Sequence, residues 1–271
     1  MPLWTRQPQA PAKVVATIDN APVIAAVTPW GIEGSTAPVY SSAVRTTNVA
    51  GRGWSGNQDS SCLYGAIKRP FVMGTNTDLT FICVLRNRNT ASEPDYSYFG
   101  LGSSFGSSGN TRLRLAGAVS KDYVEIDAVD SAGNQAYAFY TDAMGGTDLL
   151  PHAIVVSMRL QSGGYCYTYV DGRFSSSQSC LLGAGAAATT FDFVSVNDFF
   201  RGGSTTGIAA TADVMLGVAV LGQLSEARCV SLSANPWQLF APSPRRIYVD
   251  VPAGGGGGTT GPRRLAMMGV G

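Results

Sequence analysis

The stretch from Asp213 to Pro242, DVMLGVAVLGQLSEARCVSLSANPWQLFAP, constrains the fold more than any other part of the chain. Val214 to Leu221 is apolar or glycine at every position, the length and pattern of one strand buried on both faces. Leu224, Ser225 and Glu226 then open a short amphipathic helix, with Leu224, Ala227, Val230 and Ser231 at helical spacing. Asn235 and Pro236 stop it, because proline disfavours helical geometry in the residue before it. Trp237, Leu239 and Phe240 follow as an apolar plug. The expected arrangement is a strand leaving the core, a helix crossing the edge of the domain, and a structural closure made by Asn235, Pro236, Trp237 and Phe240.

Upstream, strand patterns dominate. Asp78 to Arg86, DLTFICVLR, is apolar on both faces. Tyr96 to Leu101 and Thr111 to Ala118 read as further strands, the second with Leu113 and Leu115 on one side and Arg112 and Arg114 on the other. Tyr123 to Val129 and Gln135 to Thr141 make a hairpin across Asp130 to Asn134. His152 to Leu160 pairs with Tyr165 to Val170, and Asp171-Gly172 supplies the positive φ for the tight turn into Arg173 and Phe174. Thr190 to Val196 adds another strand. Lys13 to Asp19 is a first strand, whereas Asn20 to Pro70, rich in Gly, Ser and Pro, reads as short strands and long loops.

A chain of 271 residues with 45% hydrophobic residues and 33 glycines has the size and composition of one large, turn-rich β-sandwich. It contains no apolar run of transmembrane length, so no membrane insertion is expected. The start, MPLWTRQPQAP, lacks an apolar signal core. A net charge of +1 argues against a dedicated nucleic-acid binder. Acidic groups outnumber basic ones between 121 and 213, the pattern of a solvated sheet face. Cys83 and Cys166 fall inside apolar strand patterns and read as small core residues; Cys62, Cys180 and Cys229 have no metal-ligand spacing. Residues 1–12 hold three prolines and read as an extended arm, either frayed or docked on a neighbouring subunit. Residues 252–271 combine five consecutive glycines, Gly254 to Gly258, with a cationic and apolar tag of Arg263, Arg264, Leu265, Met267 and Met268. That tag is the candidate assembly element.

The closure resembles the C-terminal end of concanavalin A-like (laminin G-like) jelly-roll domains, and Tyr169-Val170-Asp171-Gly172 after a hairpin is similar to a recurrent pattern of the same domains. The form Leu232-Ser-Ala-Asn-Pro-Trp-Gln-Leu-Phe-Ala-Pro242, with Arg245 and Arg246 beyond, resembles a set of tailed-bacteriophage virion proteins that carry this domain. The resemblance implies an all-β fold: a concanavalin A-like jelly-roll β-sandwich of two antiparallel sheets, with one short C-terminal helix and extended terminal arms. The expected division is an N-terminal arm over 1–12, the sandwich over 13–251, and the linker and docking tail over 252–271. The implied role is a non-enzymatic structural protein made in the bacterial host cytoplasm and displayed on the outside of the virion, on tail, baseplate, fibre or head. Its partners would be other virion proteins, copies of itself and a host-surface glycan.

Two other roles compete. A carbohydrate-binding adhesin would stack sugar rings on loop aromatics, for which Trp30, Trp54, Tyr96 and Tyr98 are the candidates. These same rings also suit covers for the ends of a sandwich. Glu125, Asp127 and Asp130 are similar to the E-x-D-x-x-E signature of jelly-roll endo-β-glucanases, whose chemistry needs two carboxyls on one sheet face about 5–5.5 Å apart. Strand alternation puts Glu125 and Asp127 on one face, but position 130 is an Asp that begins a turn, so the triplet departs from the family at the decisive place. No enzyme activity is therefore expected. His152, the only histidine, opens a buried-looking strand and reads as a packed residue. No cofactor is expected unless it is Ca²⁺, for which Asp142, Asp148, Asn197 and Asp198 are the loop oxygens at hand.

Overall fold

Strands that are apolar on both faces need a cover on each side, and three layers supply it. The computed structural model describes residues 7–8, 11–34, 39–41, 44–48, 51–55, 62–74, 77–88, 96–102, 112–118, 123–129, 135–141, 150–160, 163–179, 188–196 and 212–240. In chain order these form β1 (Thr17–Ile18), β2 (Ala21–Thr28), β3 (Gly31–Ile32), β4 (Val39–Ser41), β5 (Val44–Asn48) and β6 (Gly51–Ser55). There follow β7 (Cys62–Met73), β8 (Thr77–Asn87), β9 (Tyr96–Gly102), β10 (Arg112–Ala118), β11 (Tyr123–Val129) and β12 (Gln135–Thr141). The chain continues with β13 (Pro151–Leu160), β14 (Tyr165–Val170), β15 (Arg173–Ser179), β16 (Thr189–Val196) and β17 (Ala212–Leu221). The helix α1 (Glu226–Ala234) and a 3-10 turn (Pro236–Leu239) complete the described fold.

Two antiparallel sheets face each other. One runs β1-β2-β17-β8-β13-β14-β15, with β3, β5 and β6 attached at one side, and the other runs β12-β11-β10-β9-β16-β7-β4. This is the two-sheet jelly-roll sandwich expected from the sequence. Between the sheets lie Leu79, Phe81, Cys83 and Leu85 of β8, with Phe71, Phe99, Leu113, Leu115 and Phe191 opposite. Phe81 and Phe99 meet edge to face at 5.4 Å, and Phe71 stacks on Phe191 at 5.3 Å.

The outer face of the first sheet is apolar too. Ile82 and Val84 of β8, Ala153 and Val155 of β13 and Val218 and Val220 of β17 lie beneath Cys229, Leu232, Trp237, Leu239 and Phe240. So α1 and the 3-10 turn form a third layer. A register shift between Val214 and Leu216 inserts one extra residue into β17, which turns both Met215 and Leu216 to this outer side. Asp213, buried at the start of the strand, is met by Arg88 at 2.8 Å and Arg86 at 3.8 Å.

Two expectations change. Asn20 to Pro70 is not mainly loop: Asp19 and Asn20 (φ 48° and 68°) make a two-residue turn into the eight-residue β2, and β7 runs for twelve residues. Pro70 is tolerated because β7 skips from Ala66 to Phe71 in its register with β16, so the residues between them carry no ladder with that strand. The helix buries Cys229, Leu232 and Ser233, while Ala227 and Ser231 are exposed. Of the expected face Leu224 is buried and Val230 packs against the core, while docking on β13, β14 and the Asp171–Gly172 turn decides that Cys229, Leu232 and Ser233 face in rather than Ala227 and Ser231. Arg114, between Leu113 and Leu115 on β10, is itself buried, in register between Gly100 and Asp127.

Candidate functional site

The hairpin β13–β14–β15 and the start of α1 enclose a surface cleft. Alternation in Tyr165-Cys-Tyr-Thr-Tyr-Val170 sends Cys166 and Thr168 inward to full burial and puts Tyr165, Tyr167 and Tyr169 together on the outer face. The next strand adds Phe174, in register with Tyr169 and edge-to-face with it at 5.7 Å. Tyr165 and Phe174 stay half exposed, at 50% and 51%, although both are large apolar rings. Tyr165 and Tyr167 lie 6.3 Å apart at 30°.

Against this aromatic wall stands the chain entering the helix. Thr80, buried in β8, accepts from the Leu224 amide at 3.2 Å and donates to the Gly222 carbonyl at 2.8 Å, which fixes the loop before α1. Ser157 bonds the Leu224 carbonyl at 3.4 Å. Ser225 is the N-cap and accepts from the Arg228 amide at 3.3 Å. Between wall and helix lies a cleft of 620 Å³, lined by Tyr167, Tyr169 and Phe174 on one side and by Gln223, Leu224, Ser225 and Glu226 on the other, with Ser157 also contributing. That is the size of a small-ligand site. Burial, with the nearby Cys229 and Glu226 adding to it, pushes the Tyr169 phenol up to about 12, so it stays protonated over the physiological range. Burial likewise pushes the Cys229 thiol to about 12, which makes it an inert core group.

The other side of the hairpin holds the helix in place. Asp171 (φ 49°) and Gly172 (φ 83°) form the tight turn, and a Cβ on Gly172 would come within 2.9 Å of the Ala234 Cβ at the end of α1. The Gly172 amide donates to Ser233 Oγ at 3.1 Å. Asp171 accepts from the Ala153 amide at 3.0 Å and contacts His152 Nδ1 at 2.7 Å. The single histidine is therefore a buried partner of a turn aspartate.

A second cleft, of 260 Å³, lies where the N-terminal segment crosses β2 and β3, and Lys13, Trp30, Ile32 and Glu33 line it. Glu33 accepts from the Val14 amide at 2.6 Å and lies 3.9 Å from Lys68. Desolvation raises its carboxyl above the ordinary 4.5, against the lowering effects of the Val14 bond, Lys68 and Lys13.

The sequence candidates fall in different places. Trp54 is 2% exposed, with its Nε1 donating to the Thr28 carbonyl at 2.8 Å, and Tyr98 is 1% exposed. Neither is a surface platform, because both rings pack into the core between the sheets. Trp30 is half-buried and meets Phe240 edge-on at 5.6 Å, which makes it a buttress of the closure. Tyr96 starts β9, and nothing further is described of its side chain. Pro236, Trp237 and Phe240 are buried in the plug; Asn235 caps α1 with its amide on the Ser231 carbonyl, and Val14 bridges to Phe240. Glu125 and Asp127 sit two apart on β11, opposite Phe139 and Tyr137 of β12. Asp130, Asp142, Asp148, Asn197 and Asp198 lie outside the described residues, as do Arg263, Arg264, Leu265, Met267 and Met268. Among the described residues no three His, Cys, Asp or Glu side chains group as metal ligands would. Sequence reasoning placed Tyr165, Tyr167 and Tyr169 in a strand but missed them as a site. Their period of two was the signal.

No family model matches the sequence, and no curated protein sequence does either. Solved structures do share the fold. The botulinum neurotoxin serotype G binding domain superposes with a TM-score of 0.53 at 10% identity, over 78% of this chain and 50% of that one. The binding domain of Paraclostridial Mosquitocidal Protein 1 gives 0.53 at 11% identity, over 79% of this chain and 52% of that one. Ruminococcus gnavus IT-sialidase CBM40 bound to alpha2,3 sialyllactose gives 0.46 at 10% identity, over 74% of this chain and all of that one. The chain spans about half the length of the two toxin domains it matches. At such identities the likeness is one of fold, the jelly-roll β-sandwich.

Proposed function

We propose that this chain is a non-catalytic recognition module that binds a glycan in the cleft between β14–β15 and α1. One observation carries the reading: half-exposed aromatic rings face a loop and helix start bearing Gln223 and Glu226, whose side chains make no hydrogen bond or ion pair among the described residues. A sugar ring has an apolar C–H face and a rim of hydroxyls. Tyr167 and Phe174 suit the first, and the amide and carboxylate suit the second. The toxin domains that share this fold at TM-scores above 0.5 are binding domains, which supports a binding role.

Tyr167→Ala and Phe174→Ala in the full chain are expected to weaken glycan binding about tenfold each, the effect of losing one aromatic contact. Isothermal titration against the ligand found on a glycan array measures this. Unchanged affinity in both variants would move the site elsewhere, with the cleft at Trp30 as the next place to look.

A second reading concerns where the module is displayed. The closure Leu232 to Pro242 resembles in sequence that of tailed-phage virion proteins, and this resemblance is what supports that setting. On this reading the tail 252–271 docks on the particle and the cleft faces the host surface. Gln7 changes the expectation for the first arm: its amide group bonds both the amide and the carbonyl of Arg52 at 2.7 Å, so at that residue the arm lies on its own domain. Deletion of 252–271 is expected to leave a folded, glycan-binding chain absent from assembled particles.

A further inference from the structure

Charge narrows the ligand class, and this step rests on the glycan reading of the same cleft. Among the described residues its lining holds one charged side chain, Glu226, and no cation. Of the arginines on adjoining elements, Arg159 grips Asp78 through two bonds of 2.9 and 3.0 Å, Arg228 lies 3.6 Å from Asp19 and bonds Gln238 at 3.3 Å, and Arg173, exposed at the start of β15, is not among the described lining residues. The remaining polar groups are neutral, namely the Gln223 amide, the Ser157 and Ser225 hydroxyls and the Tyr169 phenol. An acidic sugar that settled on the aromatic wall would bring its carboxylate towards Glu226 with no lining cation to meet it. An amino sugar would bring an ammonium to the same carboxylate.

We propose that the cleft selects neutral and amino sugars against acidic ones, with Glu226 as the specificity-determining residue. The device works by repulsion as much as attraction, since rejecting a competitor needs only one unpaired like charge. Two unit charges about 4 Å apart at the water-facing surface change affinity roughly fivefold, and more where the cleft excludes water.

The test uses the full chain and matched sugars at fixed ionic strength: lactose against sialyllactose, and N-acetylchitotriose against its deacetylated form, chitotriose. Wild type is expected to bind sialyllactose at least about fivefold more weakly than lactose, and chitotriose more tightly than the N-acetylated form, by a similar factor. Glu226→Gln is expected to bring both ratios close to one. Ratios within one protein are insensitive to any general weakening that the substitution causes. Equal binding of lactose and sialyllactose by wild type, or ratios unchanged in Glu226→Gln, would overturn the charge selection and leave the glycan reading standing. Binding of none of the four sugars would overturn both.

Discussion

The two faces of the ten-stranded sheet are both apolar over β8, β13 and β17 but are covered in different ways. The inner face meets a second sheet, so large rings interlock over a wide area and the fit is close. Gly217 shows how close: a Cβ built there would clash with the ring of Phe99. Among the described residues the outer face meets one nine-residue helix, a four-residue 3-10 turn and the segment around Val14, too little to cover the whole sheet. Where that cover stops, over β14 and β15, the aromatic residues stay half exposed and the cleft opens. Incomplete cover is therefore what produces the candidate site, and the inner sandwich is what keeps it rigid.

The sharpest way to break this comparison is to attack the inner face. Phe99→Ala is expected to destabilise the chain by about 3–5 kcal/mol, through lost burial and the cavity left behind. Gly217→Ala alone is expected to cost about 1–3 kcal/mol by overpacking, yet little in the Phe99→Ala background, because the clash has then gone. Urea unfolding of the four proteins checks this cycle. Additive costs would mean that Gly217 and Phe99 are not in the close contact described.

A smaller perturbation sharpens the other side. Ser225→Ala removes the N-cap of α1 and is expected to cost about 1 kcal/mol. If the outer layer opens on its own, hydrogen exchange in α1 should rise about fivefold while the amides of β8 and β17 barely change. An equal rise in both would show that the two layers form one cooperative unit.

The smallest expected effect comes from the edge of the outer layer, at Glu33. Its folded-state pKa is raised by desolvation, so the protonated form is favoured in the folded protein. The stabilising contribution is full below the ordinary 4.5 and is lost as pH rises through the raised value. Glu33→Gln keeps the acceptor for Val14 and removes that dependence. The stability of the variant relative to wild type is therefore expected to increase with pH across that window. A flat difference would mean that the Val14 bond and Lys68 offset the burial.

Much of the frame was legible in the sequence because its signals are local. The strand before α1, the stop at Asn235-Pro236, the both-sided strand at 78–86 and the Asp171–Gly172 turn each depend on residues within a few positions of one another. The misses depend on partners far along the chain. β7 was hidden by a Pro70 that a register skip against β16 accommodates. Trp54 looked like a loop aromatic until the Thr28 carbonyl, 26 residues away, took its indole N–H. The face of α1 depended on where Gly172 approaches Ser233 and Ala234.

By itself, then, the sequence determined an all-β chain closed by a capped helix and an aromatic plug, since turn geometry, capping and strand period are properties of short segments. Only the tertiary structure decided which of its many aromatic rings remain available to a ligand. Exposure is not carried by a residue or its neighbours in sequence; it is left over once remote segments have covered what they can reach. Here the helix ends at Ala234 and the cover over Tyr165, Tyr167 and Phe174 is incomplete.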